Sequence, residues 1–88
     1  MTLRIEKGFN GTFMVFRLIG ELRSSETSEL KPEMGEVSAS LALDLTELNI
    51  VDLSGIQFLI DCEARGAAIL HCPPYVREWM KRERKREK

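Results

Sequence analysis

The sequence predicts an α/β fold in which a β-hairpin is followed by alternating strands and helices, and three observations point to it. Leu41, Leu43 and Leu45 alternate with Ala42 and Asp44, a period-2 pattern that suits a strand with one strongly apolar face. Soon after, Ile56, Leu59, Ile60 and Ala64 recur at helical spacing behind Asp52-Leu53-Ser54-Gly55, whose short oxygen side chains suit the free N–H groups of a helix start. Near the N-terminus, Asn10-Gly11 separates two apolar stretches and signals a tight turn. Strands that alternate with helices require right-handed crossovers and a largely parallel sheet. The predicted order is ββαβαβα, a four-stranded sheet with an antiparallel hairpin at one edge and helices packed on it.

Taken in order, residues Thr2 to Lys7 place Leu3 and Ile5 inward and Arg4 and Glu6 outward, and Phe9 to Thr12 turns the chain into a second strand, Phe13 to Ile19. That strand is apolar on both faces, which predicts a central position covered on two sides, and Gly20 to Arg23 leads out of it. Ser24 or Ser25 is placed to cap a short, weak helix carrying Leu30 and Met34, which Pro32 and Gly35 interrupt. The Leu41 strand is predicted to end near Thr46, and the central helix to open within a residue of Ser54. Gly66 stops that helix, Ala67 to Leu70 forms a short buried strand, and His71-Cys72 closes it. Pro73 and Pro74 open a last helix. On it Tyr75 with Trp79, and Val76 with Met80, pair at i and i+4, an aromatic face expected to cover the sheet.

The chain of 88 residues is read as one domain over residues 1–80 and a charged helical tail, Lys81 to Lys88. The tail holds six of the 13 basic residues and two of the 14 acidic ones, so it carries +4 and the remainder −5. Glu83 and Glu87 weaken its field, which suits a solvated helix end better than a nucleic-acid contact. Two cysteines are too few for a disulfide-framed secreted module, and no apolar run approaches the roughly 18 residues of a membrane span. The cytoplasm is the expected location.

The start of the central helix brings a hydroxyl, a carboxylate and unpaired N–H groups to the carboxyl side of a strand, where α/β folds place their binding crevice. The residues alone leave Ser54 open between an inert helix cap and a modifiable hydroxyl. Asp52 is either a cap or a group that orients that hydroxyl or meets a kinase's metal-nucleotide site. Asp44 reads as a supporting residue, a loop-bracing hydrogen-bond acceptor. Phe58 lies on the helix flank away from Ile56, Leu59 and Ile60, and exposure there would mark a partner face. Cys62, Cys72 and His71 supply at most three soft ligands without a C-x-x-C or H-x-x-x-H pair, so no metal or other cofactor is expected. Ser54 has no evident base, and neither a G-x-S-x-G elbow nor a phosphate-cradling glycine loop is present, so an enzyme is not expected.

The run Leu41-Ala42-Leu43-Asp44-Leu45, followed by Ile50-Val51 and then Asp52-x-Ser54-Gly55, resembles the core of the STAS domain, named for sulfate transporters and anti-sigma factor antagonists. The resemblance extends back to Phe16-Arg17-Leu18-Ile19-Gly20-Glu21-Leu22, similar to that family's second strand and Gly-x-Leu turn, and forward to Gly66-Ala67-Ala68-Ile69-Leu70, similar to its next strand. Order and spacing carry the match, since D-x-S-G alone is common. It implies a small STAS-like domain of the antagonist type in a short variant. Leu53 stands where many antagonists have a second serine, and the chain stops after one helix where the family usually adds a further strand and helix.

In the bacterial antagonists the serine matching Ser54 is phosphorylated by an anti-sigma factor kinase. The resemblance therefore implies a non-enzymatic partner-switching domain in transcription regulation. Asp52, Leu53, Ser54, Gly55 and Phe58 would form its partner face, Ser54 would carry the phosphate, and an anti-sigma factor serine kinase and a serine phosphatase would be its partners. The alternative is a constitutive STAS accessory subunit of a transporter or signalling scaffold, in which Ser54 is structural.

Overall fold

Strands β1 (Leu3–Asn10) and β2 (Phe13–Leu22) form the expected hairpin across Gly11-Thr12 in the computed structural model of the protein, which describes residues 3–34 and 40–86. Helix α1 (Ser24–Met34) follows, then β3 (Leu41–Asp44), β4 (Leu48–Val51), α2 (Leu53–Ala64), β5 (Ala68–Leu70) and α3 (Pro74–Arg86). Thr2, expected to begin the first strand, Gly35, expected to interrupt the first helix, and the tail's Glu87 and Lys88 lie outside the described residues. The sheet runs β1-β2-β3-β5, antiparallel between β1 and β2 and parallel beyond, which is the predicted mixed architecture.

One strand is additional. The chain does not run from Leu41 through Thr46 and into a loop; it leaves the ladder after Asp44, turns, and returns as β4 to pair with the far end of β2. Asp44 drives the exit, its Oδ1 accepting from the backbone N–H of Thr46 at 2.9 Å and from the Thr46 hydroxyl at 2.6 Å. The Leu48 N–H then donates to the Leu45 carbonyl at 3.2 Å and closes the turn. Leu48 and Val51 are buried while Asn49 and Ile50 are exposed, a spacing that hides the strand from a period-2 reading. The β2–β4 register shifts between Gly20 and Glu21, so the pairing is irregular as well.

The core lies on one face of the sheet. Leu18 and Leu22 of β2 and Leu43 of β3 are fully buried, as are Ile56 and Leu59 of α2 and Val76 and Met80 of α3. On the opposite face of β2, Phe13 and Arg17 are exposed, and Val15, Ile19 and Glu21 are only half-buried. Coverage of β2 on two sides is thus not what forms. Its second apolar row is screened in part by ion pairs over the open face, with Glu6 reaching Arg4 at 2.9 Å and Arg17 at 3.7 Å.

Helix α1 runs through Pro32 rather than stopping there, and its apolar contribution to the core is thin, with Leu30 fully buried and Thr27 nearly so. Helix α2 ends as the sequence requires. Gly66 adopts φ 107°, the Ala67 N–H donates to the Cys62 carbonyl at 3.1 Å, and the Gly66 N–H donates to the Glu63 carbonyl at 3.0 Å. Those two bonds satisfy carbonyls that a helix end leaves free, and the positive φ they need is cheap only for glycine. His71 departs from the extended strand end expected of it, with φ 54° and its side chain exposed, so β5 stops at Leu70.

Helix α3 packs against α2 with Val76 and Met80 rather than its aromatic pair as the buried row; Tyr75 is exposed and Trp79 is half-buried. Glu63 of α2 holds it from the side, accepting from Arg77 at 3.2 Å and from Arg84. Arg84 belongs to the charged tail, which continues α3 as a helix to Arg86.

Candidate functional site

The first turn of α2 is built from the bottom by Asp52. Its backbone is extended (φ −100°, ψ −176°), and its Oδ1 accepts from the Gly55 N–H at 2.9 Å, which makes Asp52 the N-cap and leaves Ser54 inside the first turn. Its other oxygen, Oδ2, accepts from the Ser24 N–H at 3.3 Å. Ser24 is the first residue of α1, where neither Ser24 nor Ser25 caps; Arg23 holds the cap position, its carbonyl accepting from the Thr27 N–H at 2.9 Å. One carboxylate therefore serves two helix starts and ties α1 to α2.

Asp52 is a cap with both oxygens engaged, not a group that orients the serine. Ser54 is not the cap. Its side chain is half-buried and its hydroxyl has no hydrogen-bond partner among the described residues. It lines a shallow cleft of about 280 Å³ between the two helices, together with Thr27, Gln57, Phe58 and Asp61. Leu53, at the first helical position, points outward and is 47% exposed.

Two residues expected on a partner face are buried instead. Gly55 faces inward, and a Cβ placed on it would lie 2.5 Å from the Leu22 carbonyl oxygen and 2.8 Å from Val51 Cγ1. Its role is to let α2 start in contact with the end of β2, not to admit a partner. Phe58 is 6% exposed and belongs to the core, because α1 packs on the flank of α2 that the helical pattern alone left open.

Besides Leu53, exposed apolar surface near the helix start comes from residues the sequence reading did not assign to a partner face. Ile50 of β4 is 41% exposed and Tyr75 of α3 is 51% exposed. The Tyr75 hydroxyl donates to the Asn49 carbonyl at 3.1 Å, which fixes the ring beside β4. A large apolar residue two positions before the Asp52-x-Ser54 motif was the available signal for Ile50; nothing in the sequence places Tyr75 there.

Asp44 accepts both the backbone N–H and the hydroxyl of Thr46 in the turn after β3. Burial alone would raise its carboxyl, but the two hydrogen bonds from Thr46, and then the charges of His71 and Arg17, outweigh that and hold it below the ordinary value of 3.8. Cys62 and Cys72 are unlinked, Cys62 buried and Cys72 half-buried. Burial pushes the Cys72 thiol up, against the lowering charge of Arg77 and with the raising charge of Glu63. Among the described residues no cluster of three or more His, Cys, Asp and Glu side chains has the geometry to hold a metal. None of the described helices is long and apolar enough to cross a membrane.

The sheet order, the helix opening beyond β4 and the crevice at its start can be compared with solved structures. The STAS domain of an anti-sigma-factor antagonist from Rhodobacter sphaeroides matches with a TM-score of 0.62, over 78% of this chain and 86% of its own, at 14% sequence identity. The chain has the STAS fold. No protein-family profile matches the sequence, and no curated protein matches it. At the start of α2 in this chain, Asp52 is doubly engaged, Leu53 is exposed, and the Ser54 hydroxyl has no hydrogen-bond partner among the described residues.

Proposed function

We propose that this STAS domain is a non-enzymatic regulatory interaction domain of the anti-sigma factor antagonist type, which binds an anti-sigma factor serine kinase through the start of α2 and is switched by phosphorylation at Ser54. The observation that carries this reading is the Ser54 hydroxyl, which stands in the first turn of α2 on a half-buried residue and has no hydrogen-bond partner among the described residues. Were the serine structural, its oxygen would be expected to cap or brace something, and Asp52 already does both. Leu53 and Ile50 supply exposed apolar area beside it, the kind of surface that anchors a protein partner. The fold shared with an anti-sigma-factor antagonist supports the partner class.

Ser54 is hydrogen-bonded to no base among the described residues, which suits a substrate of a kinase rather than a nucleophile of its own. A serine phosphatase would reverse the modification, and the setting would be the bacterial cytoplasm. Incubating the chain with ATP and an anti-sigma factor kinase from its native cell, followed by phosphopeptide mapping, is expected to place the modification on Ser54. A phosphate elsewhere, or none, would favour a constitutive accessory subunit of a transporter or scaffold.

A further inference from the structure

Helix α3 divides its charges between two sides. Val76 and Met80 are fully buried on the side that packs against α2, and Glu83, one turn further along that side, is half-buried. Tyr75, Glu78, Lys81, Arg82 and Lys85 are exposed, and their spacing of three and four residues makes one stripe along the outer side of the helix. Glu83, which the sequence alone sets against the tail's positive charge, lies off that stripe. Arg77 and Arg84 are held by Glu63 of α2, whereas Lys81, Arg82 and Lys85 make no ion pair among the described residues. The stripe therefore carries a net +2 from three cations and one acid, with an aromatic ring at its start.

We propose that this stripe of α3 binds the surface of a bilayer that contains anionic phospholipid, with Lys81, Arg82 and Lys85 on the headgroup phosphates and the exposed part of the Tyr75 ring at headgroup level. The three cations fall within about 6 Å along the helix axis, so they act on one small area of the leaflet. With Glu78 and Arg84 they border a shallow hollow of about 440 Å³, and a phosphate can lie among the charges rather than against one of them. The apolar row of the helix is already occupied by α2, so α3 rests on the headgroups and does not enter the acyl layer. Attachment of this kind is weak and reversible.

A lipid surface fits the stripe better than a nucleic acid does. Phosphates fixed along a strand would meet Glu78 in the middle of the row, whereas lipids diffuse in the leaflet and can gather around the cations while leaving the acid to water. Tyr75 points the same way, because an amphipathic ring is favoured at the boundary between headgroups and acyl chains.

Vesicle sedimentation of the full chain tests this, with equal parts phosphatidylglycerol and phosphatidylcholine against phosphatidylcholine alone. Wild type is expected to bind the mixed vesicles at low ionic strength, to come off as salt rises, and to stay in solution beside the neutral ones. Arg82→Gln is expected to weaken binding about fivefold, and Lys81→Gln, Arg82→Gln and Lys85→Gln together about a hundredfold. All three positions are exposed, so melting curves should stay with wild type. Arg4→Gln removes a cation from the open face of the sheet and is expected to bind like wild type, while Tyr75→Ser should bind more weakly with an unchanged salt dependence. A wild type that ignores mixed vesicles or binds neutral ones equally, a triple variant that binds like wild type, a loss for Arg4→Gln equal to that for Arg82→Gln, a Tyr75→Ser protein that binds undiminished, or tighter binding to a DNA or RNA oligonucleotide than to the mixed vesicles overturns the proposal.

Discussion

The Asp52 carboxylate accepts from Gly55 at 2.9 Å and from Ser24 at 3.3 Å, so a single side chain fixes the starts of both helices that frame the Ser54 cleft. Each bond satisfies a helix-terminal N–H and is worth about 1 kcal/mol. Asp52→Ala is therefore expected to lower the unfolding free energy by about 2 kcal/mol, and Asp52→Asn, which keeps Oδ1 as cap, by about 1 kcal/mol or less. Urea denaturation measures both. A loss below about 0.5 kcal/mol for Asp52→Ala would mean the two bonds do not hold the helices.

Gly55 gives a prediction of opposite sign to helix propensity. Alanine in place of a helical glycine ordinarily gains about 1 kcal/mol. Here the new Cβ would meet the Leu22 carbonyl oxygen at 2.5 Å, and backbone cannot rotate away as a side chain would. Overpacking of this kind costs about 1 to 3 kcal/mol or more, so Gly55→Ala is expected to destabilise and Gly55→Val to destabilise further. Thermal melts of both variants check this; a Gly55→Ala protein that melts above wild type would contradict it.

Much of this fold was legible because its signals are local. The Leu41 alternation, the Asn10-Gly11 turn, the Ile56-Leu59-Ile60 spacing and the Gly66 stop each depend on a few consecutive residues. What escaped depends on distant partners. β4 exists because Asp44 and Thr46 turn the chain out of one pairing and β2 is long enough to take it back, and no period in Leu48–Val51 announces it. Phe58 was read as a surface residue because the helical wheel shows one flank of α2 free, whereas α1 covers that flank. Asp52 was recognisable as a capping type, but its second bond reaches 28 residues back along the chain.

Acid should act through Asp44. Its folded value lies below the ordinary 3.8, so the stabilisation is complete above that value and is lost as pH falls through the folded value. The group is well solvated, so the effect is expected to stay under about 1 kcal/mol. Urea midpoints followed downward from about pH 5 should fall more steeply for wild type than for Asp44→Asn, which cannot titrate. Parallel curves would show that the Thr46 bonds contribute nothing to the pH dependence.

The role of Ser54 is tested most directly by calorimetry of a purified anti-sigma factor kinase partner with wild type, Ser54→Ala and Ser54→Asp, alongside their melting curves. A phosphate would add about −1.5 to −2 of charge, and an anion in the first turn of α2 is favoured by the helix dipole by about 0.3 to 2 kcal/mol, so the domain should tolerate it. At a partner surface shaped for a hydroxyl the same charge loses its water, at a cost of several kcal/mol. Since about 1.4 kcal/mol is tenfold, Ser54→Ala should bind like wild type, whereas Ser54→Asp should bind about a hundredfold more weakly and still melt close to wild type. Full-strength binding by Ser54→Asp, or weakened binding that merely follows a loss of folding, would contradict a phosphate switch at this helix start.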